Sequence, residues 1–147
     1  MQHITEVKDL KLQNTAIALG KFDGFHRGHQ LLLEQVKTWQ NQGMTGVIFT
    51  FAPAGRQIGV GKHIDSHAEK IRKSVDTGIQ VLLEYPFSEK FARLQPEEFV
   101  DQILIGQLDV KAVAVGSDFH FGRNRAGDAA LLEQLGHRKG FQVKVFD

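Results

Sequence analysis

Short apolar runs recur along the chain, separated by segments with helical spacing. Residues 16–19, 47–51, 79–83 and 112–115 are nearly continuous apolar runs, the pattern of strands covered on both faces of a sheet. In a fifth run, 141–145, apolar Phe141, Val143 and Val145 alternate with Gln142 and Lys144, which suits a sheet edge. Between them, residues 28–42 carry Leu32, Leu33, Val36 and Trp39 at helical spacing, with Gly43 as a stop. A weaker helix is predicted over 67–77, ended by Gly78. Residues 96–108 begin with Pro96 at a first helical position and with Glu97 and Glu98 where the helix dipole favours anions; their apolar stripe is Phe99, Val100, Ile103 and Leu104. Asp128 reads as the N-cap of a last helix over 128–138. The alternation predicts an α/β fold: a Rossmann-like, parallel, five-stranded sheet with right-handed crossovers and helices on both faces. Ligands of such sheets bind at the carboxyl ends of the strands beside a topological switch point. The loops after the first, second and fourth runs are therefore where chemistry is sought. The segment 52–63, with Gly55, Gly59, Gly61 and little apolar content, reads as a flexible loop.

Composition narrows the classes. The chain has 147 residues, one domain's length, and enough to bury a core. A formal net charge of +1 gives no electrostatic case for a nucleic-acid or membrane partner. The absence of cysteine excludes disulfides, thiolate zinc sites and cysteine nucleophiles. The polar start MQHITEVKDL has no apolar signal core, and no run reaches membrane-spanning length. A cytoplasmic location is expected; oligomeric state is left open.

The richest chemistry follows the first run: Gly20-Lys21-Phe22-Asp23-Gly24-Phe25-His26-Arg27-Gly28-His29. Glycines bracket a tight loop that leads into a helix, whose first backbone N–H groups and dipole favour phosphate. His26 and His29, three apart, can aim at one point in the first turn and donate to phosphate oxygens as charge builds. Gly28 leaves room for a nucleotide to approach the backbone. The same spacing suits a metal, but no third ligand stands nearby. Histidine pairs also arise by chance among seven histidines. The glycines do not follow G-x-G-x-x-G, and no Walker loop is present. Asp23 could bond its own turn.

A second cluster follows the fourth run: Gly116-Ser117-Asp118-Phe119-His120-Phe121-Gly122, then Arg125-Ala126-Gly127-Asp128. Asp118 can accept hydrogen bonds from a ribityl chain or ribose, or stand near a magnesium shell. Phe119 and Phe121 point the same way on an extended segment, either as a wall for an aromatic ring or as core packing. Gly122 with Arg123 and Arg125 could meet phosphate; solvated surface arginines are the bland alternative.

The His-x-Gly-His element between a first strand and a first helix resembles the nucleotidyltransferase superfamily. The longer string from Gly20 to His29 is similar to the adenylyltransferase domain of bacterial bifunctional riboflavin kinase/FMN adenylyltransferases, in which Gly-x-Phe-Asp-Gly-x-His-x-Gly-His is characteristic. Phe49-Thr50-Phe51-Ala52-Pro53, Leu94-Gln95-Pro96-Glu97-Glu98-Phe99 and the loop from Gly116 to Gly122 extend the resemblance over nearly the whole chain. It implies a domain spanning residues 1–147 that transfers AMP from ATP to FMN, giving FAD and pyrophosphate with magnesium. The partners would be small nucleotides and flavin, not nucleic acid or membrane. His26 and His29 would stabilise the phosphates. Gly20, Phe22, Asp23, Gly24, His26, Gly28 and His29 would hold nucleotide. Phe51, Pro53, Asp118, Phe119, Phe121, Gly122 and Arg123 would hold flavin, and no side-chain metal site is expected. The alternatives are a non-catalytic nucleotide- or flavin-binding module and a nucleotidyltransferase acting on another phosphorylated acceptor. Two departures bear on this. Phe51-Ala52-Pro53-Ala54-Gly55 replaces the family's Phe-x-Pro-His-Pro, so a looser flavin loop is expected. The chain ends at Asp147, before the family's Ile-Ser-Ser-Thr-x-x-Arg element and its riboflavin kinase domain, so impaired activity of the isolated chain is expected.

Overall fold

The computed structural model describes residues 1–20, 27–53 and 73–147. The expectations resting on Phe22, Asp23, Gly24 and His26, the glycine-containing loop from residue 54 onward, and most of the helix expected over 67–77 lie outside the described residues; 73–76 are helical.

The strands are β1 (Gln2–Ile4), β2 (Thr15–Leu19), β3 (Thr45–Pro53), β4 (Val81–Phe87), β5 (Val110–Gly116), β6 (His120–Phe121), β7 (Gly127–Asp128) and β8 (Gln142–Phe146). Six of them form one sheet in the order β1-β4-β3-β2-β5-β8, with every neighbouring pair parallel. The five expected strands are all present, and β8 lies at an edge as its alternation predicts. The sheet is one strand wider than expected because β1 adds to β4, with His3 opposite Leu82. Little in the sequence signals β1, since Ile4 is its one buried residue. Its seat is made from afar: His3 Nε2 lies 2.5 Å from Oε1 of Glu84, a carboxylate only 3% exposed within β4. Beyond Leu83, β4 runs on through Glu84 and Tyr85 to Phe87 by pairing with Thr50 to Pro53 of β3.

The helices are α1 (Arg27–Asn41), α2 (Glu89–Ala92), α3 (Pro96–Phe99, widening into a π-helical stretch, Val100–Ile105) and α4 (Ala129–Lys139). The widening shows in the bond from Gly106 N–H to the Asp101 carbonyl at 3.0 Å, one residue longer than an α-turn. Asp128 caps α4 as expected, its carboxylate accepting from Leu131 N–H at 2.8 Å.

Alternation along the strands divides the core in two. One face presents Ile17, Leu19, Val47, Phe49, Val81, Leu83, Val113 and Val115 to the apolar sides of α3 and α4. The other presents Ala16, Ala18, Ile48, Leu82, Ala112 and Ala114 to Leu32, Leu33, Val36 and Trp39 of α1. Helices thus cover both faces. Where α1 crosses β2 and β5 the sheet carries only alanines, so the helix lies close and its first turn is held beside the carboxyl end of β2.

Truncating His3 deprives the buried Glu84 of a partner. His3→Ala is expected to lower the unfolding free energy by about 1–3 kcal/mol in urea titrations; a loss below about 0.5 kcal/mol, the usual range of an unimportant surface change, would show that β1 is not held by this contact.

Candidate functional site

The strand order reverses at β2. Its successor β3 lies on one side and β5 on the other, which makes the end of β2 the topological switch point. There the carboxyl ends of β2, β3, β4, β5 and β8 open onto a cavity of about 710 Å³, a size suited to a nucleotide or drug-sized ligand. On the β2 side the cavity is lined by Gly20 and His29. Gly20 N–H bonds the Phe49 carbonyl at 3.2 Å, which fixes where the chain leaves the sheet. His29 is half-buried in the first turn of α1, so its imidazole and the positive helix end face the same space.

Across the cavity stands a continuous aromatic wall. Phe51 at the end of β3 meets Phe87 (6.1 Å between ring centroids) and Phe91 (5.5 Å); Phe87 and Phe91 lie 5.4 Å apart. Phe91 continues to Phe99 (5.8 Å), Phe99 to Phe121 (5.6 Å), and Phe121 to Phe119, whose ring is nearly parallel at 5.8 Å and 12°. Phe121 is 4% exposed and belongs to the core, whereas Phe119 is half-buried and Phe87 is 47% exposed. Phe121 is therefore core packing, while Phe119 leaves part of its ring open to the cavity. Behind the wall, Tyr85 stacks on Phe49 at 5.5 Å and donates to Gln107 Oε1 at 2.6 Å; burial pushes its phenol up, so it remains a neutral donor at physiological pH.

The third side is the loop from Ser117 to Asp128. It folds on itself through the short antiparallel pair β6–β7, in which His120 faces Asp128 and Phe121 faces Gly127. It is clasped to the start of α3 by Arg123 N–H, which donates to the Leu94 carbonyl at 2.7 Å. Gly122 sits over Pro96 with φ of +79°, and a Cβ there would come within 2.8–2.9 Å of three Pro96 atoms. A glycine is thus demanded both by the backbone and by the space. Asp118 is exposed at the cavity edge, and His120 Nδ1 lies 2.9 Å from its carbonyl.

Of the residues singled out from the sequence, Gly20, His29, Phe51, Asp118, Phe119, Phe121 and Gly122 line this one cavity. Arg123 does not; Arg125 does. The backbone of Gly28 lies in the first turn of α1, and that of Pro53 ends β3 beside Phe87. The sequence reading passed over Phe87, Phe91, His120 and Phe146 as site residues. A signal existed for the first two: Tyr85 and Phe87 alternate on one strand, and Phe91 follows within a helical turn. Among the described residues no group of three or more His, Asp or Glu side chains could hold a metal. No helix among them is long and apolar enough to cross a membrane.

A six-stranded parallel sheet covered by helices on both faces, with a cavity at its switch point, defines an α/β domain of the Rossmann-like class. The FAD synthetase family model matches residues 8–147, and the chain belongs to that family. It is 32% identical over 150 residues to the bifunctional riboflavin kinase/FMN adenylyltransferase of Buchnera aphidicola subsp. Schizaphis graminum, an alignment covering 97% of this chain and 48% of that protein. The chain spans about half the length of the curated relatives it matches. Among solved structures it is similar to a protein from Streptococcus pneumoniae described as a macrolide-efflux protein, with a TM-score of 0.80, 26% identity and coverage of 98% of this chain and 50% of that one. The pantothenate synthetase of Thermus thermophilus shares the fold, with a TM-score of 0.57, 19% identity and coverage of 99% of this chain and 60% of that one.

Two glycines of positive φ differ in backbone region and in surroundings: Gly122 has ψ of 177° and Gly140 ψ of 29°. Gly140 caps α4 with φ of +93° and has nothing within 4 Å of a built Cβ. Gly140→Ala is expected to cost about 1–2 kcal/mol in thermal unfolding, and Gly122→Ala about 1–3 kcal/mol more, because its extended positive-φ backbone is closed to a side chain and because Pro96 must move. Equal losses would show that neither the Pro96 contact nor the backbone of Gly122 constrains the loop.

Proposed function

We propose that the chain transfers AMP from ATP to FMN, giving FAD and pyrophosphate. The observation that carries this reading is that one cavity is lined both by His29 of the α1 start and by a row of phenylalanines. It offers one surface for phosphates and another for a flat tricyclic ring. An FMN phosphate oxygen attacks the α-phosphorus of ATP. The new P–O bond forms as the bond from the α-phosphorus to the β-bridging oxygen breaks, and pyrophosphate leaves with the electron pair. His29 donates to the phosphate oxygens as negative charge accumulates, with His26 as its partner in the motif. Phe22, Asp23, Gly24 and Gly28, with Gly20, hold the nucleotide against the backbone. On the flavin side, Phe51, Phe87, Phe91 and Phe119 form the ring platform. Asp118 accepts from ribityl hydroxyls, and Pro53 and Gly122 shape the rim. The chain positions reactants and stabilises charge without a covalent intermediate.

Magnesium fits this arrangement. The ion is ordinarily held by substrate phosphates, water and one or two carboxylates, not by a dedicated side-chain cage. The cavity lining supplies isolated carboxylates such as Asp118, and no metal-binding cluster occurs among the described residues. When bound, the ion would neutralise charge on the phosphate oxygens.

Chromatographic assay of FAD from ATP, magnesium and FMN tests the reading. His29→Ala is expected to lower kcat by roughly 10²–10³ while leaving unfolding unchanged. FAD formation unaffected by the substitution, or no FAD from the unaltered chain, would refute it. Phe87→Ala, at a half-exposed position, is expected to leave stability within about 0.5 kcal/mol and to raise the KM for FMN about tenfold, the scale of one lost ring-stacking contact. An unchanged KM would remove Phe87 from the platform.

A further inference from the structure

We infer that Arg125 binds the phosphate of the flavin substrate and is the residue by which this site discriminates FMN from riboflavin; the inference rests on the FMN reading above. The cations of the loop and its surroundings fall into two groups. Arg93 pairs with Glu89, Arg138 and Lys139 with Glu97, Lys139 also with Asp101, and Lys111 with Asp109. Arg123 and Arg125 take part in no ion pair or hydrogen bond through their side chains among the described residues, and of these two only Arg125 lines the cavity.

The backbone explains why. Asn124 and Arg125 both adopt left-handed dihedrals, with φ of 57° and 56°. Such a conformation is unfavourable for an L residue with a long side chain, and two in succession persist only when their surroundings impose them. Here the imposing contacts are the Gly122–Pro96 stack, the Arg123 N–H bond to Leu94, and the bonds from Arg125 N–H to the Gly122 carbonyl (3.0 Å) and from Ala126 N–H to the Arg123 carbonyl (3.1 Å). The strained turn reverses the chain between β6 and β7 and leaves Arg125, not Arg123, at the cavity. Strain kept at a site mouth to present an unpaired guanidinium calls for an anion that the protein itself does not supply. The guanidinium fork suits a phosphomonoester.

The flavin phosphate is favoured over the nucleotide's because of where the loop lies. Arg125 belongs to the segment that carries Phe119 and Phe121, which pack with the phenylalanines on one face of the sheet, whereas α1, which bears His29, covers the other face. Asp118 on the same segment repels a phosphate, so the charges orient FMN with its ribityl chain toward Asp118 and its phosphate toward Arg125. From there the phosphate faces the α1 start, where the adenylyl acceptor must lie.

The test is flavin-fluorescence titration of the 147-residue chain with FMN and with riboflavin, and nucleotide titration with ATP. Because alanine is strained at this backbone, Arg125→Asn is the neutral variant, since asparagine tolerates the left-handed region; Arg125→Lys restores charge, and Arg123→Asn is the control. Arg125→Asn is expected to weaken FMN binding about ten- to a hundredfold and riboflavin binding less than about twofold, erasing the preference for FMN. Arg125→Lys is expected to recover part of it, and Arg123→Asn to change nothing. Equal weakening of FMN and riboflavin, an equal effect of Arg123→Asn, or a loss confined to ATP would overturn the inference and leave the FMN reading standing. An unaltered chain that binds neither flavin would overturn both.

Discussion

The close seating of α1 on the sheet is the constraint on which the rest depends. Ala16 and Ala18 of β2 and Ala112 and Ala114 of β5 are all fully buried against Leu32, Leu33, Val36 and Trp39. Any larger side chain at these four positions would lift the helix from the sheet, since well-packed interiors accommodate added methylenes only by moving backbone. Lifting α1 would carry His29 and the first-turn N–H groups away from the end of β2. The identity of four small residues in the core thus sets the position of the polar groups at the surface. The opposite face, which carries Val, Ile, Leu and Phe, does the bulk of the apolar burial and tolerates the irregular π-helical widening of α3.

The cavity opposite that helix start is built by a second chain of dependence. The aromatic wall is continuous from Phe51 to Phe119 because β3 and β4 pair in a register that sets Phe51 opposite Tyr85 and Pro53 opposite Phe87. Phe91, Phe99 and Phe121 then join the strand ends to the β5–β7 loop. That loop holds its shape by collision as much as by bonding: Gly122 against Pro96 and Gly127 against the Phe121 ring, where an added Cβ would lie 2.8 Å away in each case. Core packing and site geometry are here the same contacts, so Phe121 is at once a core residue and a site residue.

Much of this was legible in the sequence, for identifiable reasons. The central strands are fully buried and read as apolar runs; α1 and α4 have apolar spacing and stops or caps, Gly43 and Asp128, that act locally. The strand–loop–helix setting of His29 and the loop around Asp118 located the cavity, because both sit at strand ends where α/β sheets bind ligands. What was not legible depends on partners distant in sequence. β1 has a single buried residue and is joined to β4 by backbone pairing and by the contact of His3 with Glu84, some eighty positions on. Phe87 and Phe91 join the cavity lining only because the strand order sets them beside Phe51. The choice of Arg125 over Arg123 is made by two left-handed residues that no local pattern predicts, since neither Asn124 nor Arg125 is a glycine.

The central claim is that this cavity joins the adenylyl group of ATP to a flavin phosphate. ATP labelled at its α-phosphorus, incubated with the chain, magnesium and FMN, tests it most directly. The account predicts that the label appears in FAD, and that label placed instead at the γ-phosphorus appears only in pyrophosphate. Label from the α-phosphorus that stays in ATP or is released as AMP, or γ-label that enters the flavin, would contradict it.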